Sequence, residues 1–181
     1  SRGLGDVYKR QELRISSDWG IEIGILSEMQ RNFSPQNICQ VDLADTYDHK
    51  HQDLSTDDEN KGLSRMSIDI IKTFIKKLAT QGHSFSREQL RSLKATYYRS
   101  ALDLIDAYRG DAEMNGLKFD SHSEEKAVEL FSKNIIKAGE DFYLNPMDAP
   151  FIPTWSRVKS AIPDFLSRLE IAVNEDNKYY L

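Results

Sequence analysis

SDWGIEIG, residues 17–24, and VDLADTYDHKHQ, residues 41–52, decide how this chain is read. The first opens a helix. At about 100° per residue it sets Glu22 among Ile21, Ile25, Leu26 and Met29, inside an apolar arc. The second ends a strand and then places Asp42, Asp45, Asp48, His49 and His51 in one short loop. A carboxylate on an apolar arc beside a loop of oxygen and imidazole donors points to a divalent-metal site. The remainder reads as helical scaffold.

Working outward, the first helix covers residues 18–31, with Ser16 or Ser17 as its cap. Gly20 and Gly24 each weaken it by up to about 1 kcal/mol relative to Ala, and leave room for another backbone or a ligand. A turn at Ser34–Pro35 leads to a strand at 37–44, where Cys39, Val41 and Leu43 alternate against Ile38, Gln40 and Asp42. An acidic loop runs over 45–60, and its second half, 55–60, reads as a solvated turn.

Four longer helices follow. Residues 61–80 carry Leu63, Met66, Ile70, Phe74 and Leu78 at helical spacing, with Gly82 as the stop. Residues 86–109 open with a Ser86/Gln89 capping box, turn Leu90, Leu93, Tyr97, Ala101 and Leu104 inward, and stop at Gly110. Residues 122–138 have a Ser121/Glu124 capping box, with Ala127, Leu130, Phe131 and Ile135 inward and Gly139 at the end. The last helix, 154–173, is kinked or split at Pro163. Between these two, residues 139–153 hold Pro146, Pro150 and Pro153, so that stretch is read as largely non-helical and draped over a neighbouring surface. Lys72, Lys76 and Lys77 read as a solvated helix face, and the tail 174–181 as frayed.

The length of 181 residues fits one domain with a real core, and 39% hydrophobic with 29% charged residues is ordinary for a globular protein. A net charge of -5 argues against a general nucleic-acid binder. The single cysteine, Cys39, rules out an intrachain disulfide framework and fits a reducing compartment, so the cytoplasm is expected. No apolar run approaches the roughly 20 residues that span a bilayer. Residues 1–11, SRGLGDVYKRQ, read as a non-native leader. The chain is then expected to be the C-terminal portion of a longer protein.

A structural zinc site is disfavoured at the DHKH loop, because it wants four N or S ligands and the one Cys lies ten residues back. His49 with carboxylates and phosphate oxygens suits Mn²⁺ or Mg²⁺ better. His51 has no assigned role, and His83 and His122 read as exposed turn or first-turn histidines. No Gly-rich phosphate loop, nucleophile elbow or HExxH is present.

Taken together, SDWGIEIG, QVDLAD and YDHKHQ resemble the glucosyl-3-phosphoglycerate synthases and related retaining glycosyltransferases of the GT-A fold. The resemblance is sharpest over 17–52, where an aromatic-Gly-x-Glu is followed about 27 residues later by a His. It implies a fold that is mainly α with one or two short strands, forming the C-terminal part of an α/β, Rossmann-like enzyme. Residues 12–60 would end the catalytic core and 61–181 form a C-terminal helical region. It implies transfer of glucose from UDP-glucose to 3-phosphoglycerate or a similar small phosphorylated or carboxylate acceptor, with Mg²⁺ or Mn²⁺ as cofactor. His49 takes the metal position, Glu22 the catalytic one, and Trp19, Gly20 and Tyr47 the substrate-binding ones.

Two departures stand out. The Asp-x-Asp metal motif of such enzymes is absent here and is read as lost with a missing N-terminal half. Tyr47 and Asp48 precede the His, where better-known relatives carry basic residues, and this bears on the phosphorylated acceptor. The chain alone is expected to be inactive and prone to association, with a homodimer among its states. Two rival readings remain: a non-catalytic helical interaction domain with an acidic loop, or a GT-A hexosyltransferase with a different donor and acceptor.

Overall fold

A computed structural model describes residues 11–39, 41, 52–148 and 150–180. Six α-helices follow one another among them: α1 (Ile21–Asn32), α2 (Gly62–Thr80), α3 (Arg87–Met114), α4 (Ser121–Leu144), α5 (Trp155–Ala161) and α6 (Phe165–Tyr180). A 3₁₀ turn, Pro35–Asn37, sits between α1 and α2, and the only β-type pairing among the described residues is a single antiparallel bridge, Ile15 to Ile152. The chain is therefore mainly helical, as expected for the C-terminal helical part of a glycosyltransferase.

The core lies where α4 packs between α2 and α3. Ile68 and Ile75 of α2, Leu90, Ile105 and Ala112 of α3, and Val128, Leu130, Ile135 and Ala138 of α4 are buried there. At the α2–α4 crossing the side-chain amide of Asn134 donates to Ser67 Oγ at 2.7 Å and to Ser64 O at 3.3 Å, so a polar group is carried into the core with its partners. The expected arc of Leu63, Met66 and Ile70 is only half-buried. With Tyr97, Phe131 and Ile135 it lines an apolar cavity of about 270 Å³.

The Ser86/Gln89 capping box is complete: Ser86 Oγ accepts the Gln89 amide at 3.2 Å, and Gln89 Oε1 accepts the Ser86 amide at 2.7 Å. Ser86→Ala is expected to lose about 1 kcal/mol, read as a lower urea midpoint with an unchanged slope. The second box differs. Asp120, not Ser121, caps α4, its carboxylate accepting the His122 and Ser123 amides.

Gly82 ends α2 in a left-handed conformation, and α5 and α6 are split at Pro163, as the sequence predicts. Two other glycines do not stop their helices. Gly110 lies inside α3, which runs on to Met114 and the left-handed Gly116. Gly139 lies inside α4, five residues before its end, because a Cβ there would fall on Leu90 Cδ1. At that position glycine lets α3 approach rather than ending α4. The tail expected to fray is helical as far as Tyr180.

The strand expected at 37–44 is not seen among its described residues. Asn37 closes the 3₁₀ turn, and Ile38, Cys39 and Val41 are exposed and unpaired in any ladder. Residues 40 and 42–44 lie outside the described ones. Residues 55–60 form a mostly exposed turn, closed by the Asp58 amide on Ser55 O at 3.3 Å. α1 packs on α2, so contacts cross the boundary expected at residue 60.

Candidate functional site

The 17–24 segment is built as a turn into a helix. Asp18 Oδ1 accepts the Gly20 amide at 2.9 Å and the Thr73 hydroxyl at 3.4 Å. Asp69 accepts the Trp19 amide. Gly20 caps α1 without a side chain, and a Cβ on it would collide with Thr73 Oγ1 and Cβ. The helix thus starts at Ile21, later than expected, and neither Ser16 nor Ser17 caps it.

Packing reverses the expected face of α1. Its covered side carries Gly20, Gly24 and Glu28, because two residues without side chains let α2 come close. The apolar arc is left open: Ile21 and Leu26 are exposed, and Ile25 and Met29 are half-buried. Glu22 is therefore exposed rather than held on a buried side, and it sits in the first turn, where the helix dipole favours a negative charge. Trp19 beside it is 45% exposed. An open indole next to an open carboxylate, on a rigid helix start, is an arrangement able to take a sugar ring and its hydroxyls.

Beneath this segment α2 carries a charged layer. Lys77 Nζ lies 2.6 Å from Glu28 Oε1 and 4.4 Å from the centre of the Phe151 ring. Lys72 Nζ lies 2.6 Å from Asp148 Oδ2, and Lys76 Nζ bonds the backbone carbonyl of Asp148. All three lysines are buried, so the expectation of a solvated face is corrected. The proline-containing segment after α4 meets all three: Asp148 faces Lys72 and Lys76, and Phe151 lies against Lys77, whose charge is balanced by Glu28.

Burial raises the Asp69 carboxyl above its ordinary range, with the Asp18 charge adding to it. Its Oδ2 is buried without a hydrogen-bond partner, and Arg65 Nε is 3.7 Å away. Burial likewise lowers Lys76, helped by the neighbouring Lys72 charge. For Glu28, burial pushes upward but is outweighed by the hydrogen bond and charge of Lys77, with Arg31 assisting, so its carboxyl titrates below the usual value.

Over 165 residues, 91% of this chain, the sequence is 41% identical to a glucosyl-3-phosphoglycerate synthase of Persephonella marina. Over 169 residues, 93% of the chain, it is 40% identical to a protein of the same name from Methanococcoides burtonii. The chain is thus similar to the matching part of two glucosyl-3-phosphoglycerate synthases. It spans about two fifths of the length of these curated relatives, 41% in each case. No family model matches it, and no solved structure does.

Of the residues the sequence singles out, the structure brings Trp19, Gly20 and Glu22 together at the start of α1. Tyr47 and His49 lie outside the described residues, as do Asp42, Asp45, Asp48 and His51. Among the described residues no group of three His, Cys, Asp or Glu side chains is placed to hold a metal ion. The Asp18/Asp69 pair does not fit a cation, since Lys72 and Lys76 already supply the positive charge there. The apolar cavity by Tyr97 offers two polar groups, the Ser67 hydroxyl already engaged by Asn134 and a phenol whose pKa burial raises, and no set of donors for a sugar. Sequence reasoning missed the role of the α2 lysines. Their signal was the i, i+4 spacing of Asp69, Thr73 and Lys77, opposite an α1 stripe of two glycines and an acid.

Proposed function

We propose that the protein containing this chain is a metal-dependent retaining glycosyltransferase that moves glucose from UDP-glucose to 3-phosphoglycerate or a similar small acceptor. One observation carries the reading: about 40% identity to two glucosyl-3-phosphoglycerate synthases over more than nine tenths of the chain. The exposed Trp19–Glu22 segment supports it. Trp19 and the Gly20 backbone line the sugar site, Tyr47 contributes to it, and Glu22 orients donor or acceptor hydroxyls. His49 is the residue that holds Mg²⁺ or Mn²⁺, an imidazole donor that suits such a cation alongside phosphate oxygens. When bound, that cation neutralises charge on the departing diphosphate. Residues 12–60 end the catalytic core, 61–181 form the C-terminal helical region, and the setting is the cytoplasm. Among the described residues no helix is long and apolar enough to cross a membrane.

The test uses the full-length protein with UDP-glucose and 3-phosphoglycerate, with and without Mg²⁺ or Mn²⁺. Turnover is expected only with the cation, and His49→Ala is expected to lower it by roughly 100-fold or more. Undiminished turnover by the variant, or turnover in excess chelator, overturns the reading.

A further inference from the structure

The Asp18–Gly20 turn that leads into α1 is held against one face of α2. Asp69 accepts the Trp19 amide. One turn on, Thr73 donates to Asp18, whose same oxygen holds the Gly20 amide. A further turn on, Lys77 holds Glu28, two turns along α1. Three residues spaced by four along α2 thus meet the turn before α1 at two points and α1 itself at a third, which fixes both the height and the rotation of α1. The close approach of Gly20 to Thr73 leaves no slack at the middle point, since even a methyl group there would overlap the threonine.

We propose that Asp69 and Thr73 are positioning residues for sugar transfer: they clamp the turn at Asp18–Gly20 so that Trp19 and Glu22 point to one fixed place. This rests on the function proposed above. Neither residue touches the open surface where a sugar would sit. Thr73 is buried, and Asp69 meets Trp19 through the backbone amide. Their effect is on geometry, and small errors of geometry at a reacting centre are costly.

The test is again made in the full-length protein. Thr73→Val removes the hydroxyl and keeps the branched shape, while Thr73→Ser keeps the hydroxyl. For Thr73→Val, kcat is expected to fall about ten-fold, with the KM for nucleotide sugar within about two-fold and the melting temperature nearly unchanged. Thr73→Ser should restore kcat. Amide exchange at Trp19 and Gly20 should quicken in Thr73→Val and Asp69→Ala, and stay slow in Asp69→Asn, which keeps an acceptor oxygen. A second route avoids loss of fold as an explanation. Gly20→Ala should be impaired, and its loss should fall on kcat with cooperative unfolding retained, because a Cβ there would overlap Thr73 and shift the turn.

Wild-type kcat in Thr73→Val, or Thr73→Ser no better than Thr73→Val, overturns the clamp while leaving the functional reading intact. No sugar transfer by the wild-type protein overturns both.

Discussion

Lys77→Ala loses about 3 kcal/mol of stability, the lower end of the roughly 3–5 kcal/mol seen when one partner of a buried ion pair is removed. The Lys77 side chain is 5% exposed and that of Glu28 14%, so water cannot replace the missing ammonium. What keeps the loss at the lower end is that Arg31 and Asn32 still face Glu28, the latter at 3.3 Å. The ring of Phe151 also loses the cation beside it. Urea unfolding checks this. A midpoint shift worth under about 0.5 kcal/mol, the range of an ordinary surface change, would show that the pair is not buried in solution. Lys77→Met combined with Glu28→Gln should recover much of the loss, because no unpaired charge is left inside.

The same pair sets a pH dependence with a definite sign. The Glu28 pKa is lowered from 4.5 in the folded state, so its contribution is complete above that value. It disappears as pH falls through the lower, folded value. The difference in stability between wild type and Lys77→Ala should therefore shrink below about pH 4.5.

Gly139→Ala is expected to destabilise by about 1–2 kcal/mol, although alanine is the better helix former by up to about 1 kcal/mol. The added methyl group lands on Leu90, which is 2% exposed and has nowhere to turn. Overpacking of this kind costs about 1–3 kcal/mol. Leu90→Ala alone should cost about 2–5 kcal/mol through its cavity. Combined, the two changes should cost less than their sum by about 1 kcal/mol, since each relieves the other. Strict additivity in chemical denaturation would place Gly139 away from Leu90.

Local signals in the sequence carried most of the helical framework. The Ser86/Gln89 box, Gly82 and Pro163 act within a few residues, so their consequences are visible in the chain itself. Gly110 and Gly139 misled because a glycine stops a helix only if nothing else holds it. Here contacts between α3 and α4 outweigh a propensity penalty of about 1 kcal/mol. The described residues of the 37–44 stretch, Asn37, Ile38, Cys39 and Val41, form no strand for a related reason: alternation at Cys39 and Val41 marks a face, but a strand needs a neighbour, and pairing is not written in the segment itself.

Site legibility divided in the same way. The Trp19-Gly20-x-Glu22 pattern located a real turn at the surface, yet the wheel put Glu22 on the wrong side. The wheel assumes that bulk decides which face is buried, whereas Gly20 and Gly24 turned a lean face inward. The lysines were misread because charge predicts solvent only when no acid arrives from elsewhere. Glu28 and Asp148 arrive from 49 and 76 residues away.

That last separation has a bearing on the order in which the molecule assembles. Asp148 lies 76 residues beyond Lys72 in the chain, with the whole α3–α4 hairpin between them. Contacts so distant form only after the intervening loop has closed, and during synthesis their second partner leaves the ribosome late. Until then the ammonium groups of Lys72 and Lys76 stay hydrated, and that end of α2 stays wet. Covering of Lys72 and Lys76 is thus a late step of folding, following the helical hairpin rather than seeding it.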